Sequence, residues 1–200
     1  GEMAMLGWFF DFEMPVRYPL RIQKALAESD NDLVDEGLCD YFRSRLEAIE
    51  TFLQSQFPER SHILRSAFEA HRSGQYLLSI PVFLAQVDGV CDALTGGKQY
   101  FRKDRRTHIP LVGEAIRGAN RGAFFDAVTK PLRQSLPIAY SESDRRRFGI
   151  QAQLNRHMIL HGESLDYGTE VNSLKSVSLL NYVAQVLAPD ESASEGRPNS

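Results

Sequence analysis

Residues 75–94, QYLLSIPVFLAQVDGVCDAL, decide the fold. Apolar residues fall on nearly every side of a helix drawn through them: Leu77, Leu78, Ile80, Val82, Phe83, Leu84, Val87, Val90 and Leu94. A helix that is apolar almost all round belongs at the centre of a bundle, covered by other helices. Pro81 lies inside it, which sets either a first turn near Ile80 or a kink there, because proline has no N–H to donate. Gln86, Asp88 and Asp92 interrupt the apolar surface, and a buried carboxylate is costly without a partner. They read as caps or bundle ion pairs or, for Gln86 and Asp88, as supporting polar groups that orient an arginine or histidine.

The flanking segments supply the covering helices. Leu38, Tyr41, Phe42, Leu46, Ile49, Phe52 and Leu53 recur at threes and fours, which predicts an amphipathic helix over residues 33–57. Pro58 ends it, and Ser61 can cap another helix running to Arg72. A short helix is expected over residues 20–27, before the helix-breaking SDND run. The first nineteen residues, with Pro15 and Pro19, read as an extended lead whose Trp8, Phe9, Phe10 and Phe12 pack onto the domain or onto a subunit.

Downstream, Gly96 and Gly97 open an irregular basic connection, followed by helices over residues 110–116 and 121–134. Residues 141–161 are expected to form one helix with Phe148, Ile150, Leu154, Met158 and Ile159 as its core side, closed by a left-handed Gly162. A last helix, capped by Asn172 or Ser173, carries Leu174, Val177, Leu180, Val183 and Val186 inward. The polar residues 188–200 read as a flexible tail. No strand alternation is present, so the expected class is an all-α helical bundle: an N-terminal extension (1–60), a helical domain (61–187) and the tail.

A 42% hydrophobic and 24% charged composition is that of a globular domain and excludes a disordered chain. No apolar run approaches the roughly 20 residues of a membrane span, and the N-terminal MLGWFF lacks the basic lead of a signal peptide. A cytoplasmic location with no membrane partner is the expectation. Cys39 and Cys91 match no metal spacing and read as small buried residues. Charge is distributed unevenly: residues 1–60 hold 6 basic and 12 acidic residues, whereas residues 101–157 hold 12 and 5. The basic block is either an ordinary solvated face or a polyanion surface, with Arg102, Lys103, Arg105, Arg106, Arg145, Arg146 and Arg147 as the candidate RNA-binding residues.

That block runs into 156-RHMILHG-162, which packs Arg156, His157 and His161 together. Arginine offers a fixed cationic fork and histidine titrates near neutrality, so the three are candidates for phosphate chemistry. At the end of a long helix they would also face orphan carbonyls, which favour positive charge. At 100° per residue Arg156 and His161 lie about 140° apart, while His157 and His161 share a face. The HxxxH pair is not a zinc-protease motif, since Met158 stands where the catalytic Glu would be. No metal and no cofactor are expected.

The order Arg, polar residue, three variable residues, His resembles the motif of HEPN-domain ribonucleases, helical bundles of the higher-eukaryote and prokaryote nucleotide-binding superfamily. Residues 76–94 resemble an earlier core helix of that family, and residues 161–183 its tail, so the likeness covers roughly residues 60–187. The resemblance implies metal-independent RNA cleavage by Arg156 and His161, with His157 in the variable polar place. It also implies a homodimer whose two motifs meet in one cleft, and a role as a toxin or abortive-infection effector under an antitoxin or regulatory protein. The alternative is a catalytically silent helical module that binds nucleic acid or a protein.

Overall fold

The computed structural model describes residues 1–116, 122–149 and 154–188. The described residues are all-helical. They comprise α1 (Glu2–Met5), α2 (Arg17–Ala27), α3 (Asn31–Gln56), α4 (Ser61–Arg72), α5 (Tyr76–Thr95), α6 (Val112–Ala115), α7 (Ala123–Thr129), α8 (Glu142–Phe148), α9 (Arg156–Leu160) and α10 (Glu170–Leu187). Short 3-10 turns occupy Pro58–Arg60, Lys130–Arg133 and Pro137–Ala139. The expected start of a helix at Arg121, the core role of Ile150 and the tail beyond Ala188 lie outside the described residues.

The long helices are those the apolar spacing predicts, and their ends have chemical causes. Asp30 caps α3 by accepting from the Leu33 N–H at 3.0 Å, and α5 stops at Gly96, whose φ of +66° is the left-handed conformation of a helix C-terminus. α10 packs on α5 and α3, and α4 closes over both α3 and α5.

The centre is α10 rather than α5. Every residue from 172 to 184 is buried, including Ser173, Lys175, Ser176, Ser178 and Asn181. By contrast, α5 exposes Leu77 at 54% and Leu78 at 60%. The apolar count misjudged the two because the buried serines of α10 are all bonded: Ser176 and Ser178 send hydroxyls back to the Asn172 and Lys175 carbonyls, and Ser173 pairs with His71 and Ser79. A serine so bonded is cheap to bury. α5 is nevertheless long and apolar enough to cross a membrane by length and composition.

Pro81 neither delays nor breaks α5, which begins at Tyr76. Proline leaves the Leu77 carbonyl without its i+4 donor, and the Tyr167 hydroxyl donates to that carbonyl instead at 3.0 Å. The lead packs in: Trp8 is fully buried, stacks on Phe42 at 5.5 Å and donates to Asp35, while the Phe9 N–H donates to Ser178. Phe10 is half-buried and Phe12 is exposed. Cys39 and Cys91 are both buried free thiols, and burial pushes the Cys39 thiol up to about 11.

Residues 141–161 depart most from expectation. The single long helix is two short ones. α8 ends at Gly149, with φ +64°, and Asn155 is extended, with φ −135°, before α9 begins at Arg156. Glycine here needs no Cβ penalty to turn left-handed, and asparagine is a strong N-cap. Both signals outweigh the helical spacing of Leu154, Met158 and Ile159. Phe148, expected in the core, is 47% exposed and stacks on Tyr140.

Candidate functional site

The motif is seated by Asn155. Its Oδ1 accepts from the Met158 N–H at 3.0 Å, capping α9, while Nδ2 donates to the Pro137 and Tyr140 carbonyls at 2.8 and 3.0 Å. The residue is 1% exposed. Sequence reasoning missed it, because a continuous helix leaves no room for a cap at position 155. The Asn ahead of the Arg-His pair was the available signal.

Arg156 and His157 therefore sit in the first turn of α9, not in the last turn of a long helix. The expected stabilisation by orphan C-terminal carbonyls does not apply to Arg156, but in a helix of five residues His157 also falls in the last turn. His161 ends the helix, its N–H donating to the His157 carbonyl at 3.0 Å, and Gly162 follows at φ +74° as expected.

Arg156 turns inward. Its guanidinium lies 3.8 Å from Asp88 and 5.5 Å from the centre of the Phe101 ring, and its Nε has no hydrogen-bond partner. Asp88 is held mainly by the Phe101 N–H at 2.9 Å. Burial raises its pKa, and the Phe101 N–H and Arg156 offset part of that rise. Gln86 instead accepts from Arg60 at 3.1 Å. Of the two supporting groups expected on α5, only Asp88 reaches the motif.

His157 and His161, four residues apart, lie with ring centres 6.1 Å apart and planes within 7° of parallel. His161 is exposed and His157 half-buried. Burial, then the charges of Arg156, Lys103, His161 and Arg145, lower the His157 pKa below its ordinary value of 6.5. These influences favour the neutral imidazole of His157, which keeps an unprotonated ring nitrogen. Among the described residues no cluster of three or more His, Cys, Asp or Glu side chains is placed to hold a metal ion.

The basic block divides. Lys103 donates to Asp144 at 2.8 Å and to Ser135 at 2.9 Å, and Arg145 donates to Glu163 at 2.7 Å. Asp144 also accepts from Ser141 in a capping box at the start of α8. Burial alone would raise its pKa, but the bonds from Lys103 and Ser141 outweigh this and bring it to about 2. These two cations therefore lie close enough to act on His157 while bracing α8 against the loop before α6 and the turn after α9. Arg102, Arg105, Arg106, Arg146 and Arg147 are exposed. Of these, Arg146 pairs with Glu142, and Arg147 lies over Phe148.

Comparison with family models, with curated proteins and with solved structures found no match for this chain.

Proposed function

We propose that this protein is a metal-independent endoribonuclease of the HEPN kind, a toxin or abortive-infection effector that cuts RNA. The observation that carries the reading is the parallel His157–His161 pair, with Arg156, Lys103 and Arg145 close enough to His157 to lower its pKa. Neutral His157 takes the proton of a ribose 2′-hydroxyl as that oxygen attacks phosphorus. His161, in contact with solvent, donates a proton to the leaving 5′-oxygen as the P–O5′ bond breaks. The products are a 2′,3′-cyclic phosphate and a 5′-hydroxyl.

Arg156 stabilises the charge on the non-bridging oxygens once it leaves Asp88, which keeps its bond from the Phe101 N–H. A second copy of the chain faces its own motif across the cleft and supplies cations that the RNA backbone meets. The second reading, a catalytically silent nucleic-acid- or protein-binding module, is favoured by Arg156 already lying between Asp88 and Phe101.

The experiment is cleavage of a labelled RNA in EDTA with end-group analysis. Products bearing a 2′,3′-cyclic phosphate support the enzyme. Loss of cleavage with chelator, or 3′-hydroxyl products, rules this mechanism out.

A further inference from the structure

We propose that the concavity between the N-terminal lead, α3 and α10 binds a flat, uncharged ring bearing an amide-type edge, a hydrogen-bond donor beside an acceptor. The concavity measures about 410 Å³ and is lined by Phe12, Arg45, Ile49, Phe52, Asn181 and Gln185. That volume lies within the roughly 300–1,000 Å³ of small-molecule sites.

Asn181 directs the choice of ligand. It is 1% exposed, and neither its Oδ1 nor its Nδ2 has a hydrogen-bond partner. Buried amides are nearly always satisfied, so an unmet one in a fully packed helix points to a missing partner. Its neighbours are already committed. Gln185 accepts from the Phe12 N–H at 3.1 Å and donates to Asp11 at 2.9 Å. Asp11 is further held by the Tyr41 hydroxyl at 2.7 Å.

An asparagine side chain presents two N–H donors and a carbonyl acceptor in one plane. Its complement is an edge with donor and acceptor side by side, as on a carboxamide, a lactam or the adenine N6/N7 edge. Phe12, Phe52 and Ile49 supply apolar walls suited to the faces of a ring. Phe12, which lines the same concavity as Asn181, is 39% exposed, so its ring is the wall with room to turn aside for a ligand.

Charge excludes an anion. Arg45 Nε has no hydrogen-bond partner, but its charge is countered by Asp11 at 3.6 Å and by Glu13 on the same rim, so the pocket has no surplus positive charge. A carboxylate would also meet the Asn181 carbonyl, acceptor against acceptor.

The test titrates the full chain with benzamide and adenine, with benzoate and toluene as controls. Binding is followed by amide chemical shifts, alongside the melting temperature of the wild type and of Asn181→Leu. Benzamide or adenine should bind in the millimolar range and shift Phe12 and Asn181, with benzoate and toluene at least tenfold weaker. Binding of one probe and not the other assigns the edge to a carboxamide or to a purine and upholds the site. Asn181→Leu should weaken binding at least tenfold and raise the melting temperature, because it removes an unsatisfied buried amide. Benzoate binding as tightly as benzamide would assign recognition to Arg45, and toluene binding as tightly would reduce the site to an apolar gap. Either result overturns the proposal, as does absence of binding by both probes. A lower melting temperature in Asn181→Leu overturns it too, since that amide would then already have a partner.

Discussion

Replacing Asn155 with alanine should unseat the motif. The side chain caps α9 through Met158 and ties it to the Pro137 and Tyr140 carbonyls, all within a site 1% exposed. Loss of an N-cap costs about 1 kcal/mol, and each of the two further hydrogen bonds contributes about 1 kcal/mol. The sum is about 3 kcal/mol, equivalent to a fall of about 6–12 °C in melting temperature for a chain of this size. Asn155→Asp separates the two contributions, since it keeps the acceptor for the Met158 N–H and loses both donors. Thermal and urea unfolding followed by circular dichroism measure the effect. A loss under about 1 kcal/mol in Asn155→Ala, with Asn155→Asp no different from wild type, would refute the anchoring role.

Four further outcomes follow from other residues. Gly113→Ala should destabilise by about 1–3 kcal/mol, because a Cβ there would sit 2.5 Å from the Leu132 carbonyl oxygen; urea midpoints check it. His71, buried and bonded to Ser173 at 2.8 Å, has its pKa lowered chiefly by burial. Its contribution is therefore full above the unfolded value of about 6.5 and is lost as pH falls below that toward the folded pKa. His71→Gln should flatten this acid limb between pH 7 and pH 5 in pH-dependent unfolding. RNA binding should weaken with salt, and Arg105→Ala with Arg106→Ala should reduce the log–log slope by about 1.4 on single-stranded RNA, at about 0.7 per phosphate. Lys103→Met should instead lower stability, since it strips a 2.8 Å partner from Asp144.

The long helices were legible because apolar spacing and breakers agree: Leu38 to Leu53 ends at Pro58, and α5 ends at Gly96. The all-α class follows from them. Helix centrality was not legible, since Ser173, Ser176 and Ser178 look polar in sequence and are buried in structure. Nor was the seating of the site. Asn155 bonds to carbonyls on a 3-10 turn, and Lys103 meets Asp144 from 41 residues away, contacts that local periodicity does not encode. The apolar residues on both sides of Gly149 carried a helical spacing across a break made by one left-handed glycine and one cap. The pairing of His157 with His161, by contrast, was readable at once from their four-residue separation.

The central claim, that His157 and His161 act as base and acid on RNA, is tested most directly by single-turnover cleavage with wild type and His161→Ala under identical conditions. General acid–base catalysis contributes about 10²–10⁴-fold. The account predicts a rate loss in that range, with a circular dichroism spectrum and melting temperature close to those of the wild type, because His161 is exposed. Cleavage by His161→Ala within a few-fold of wild type would contradict it.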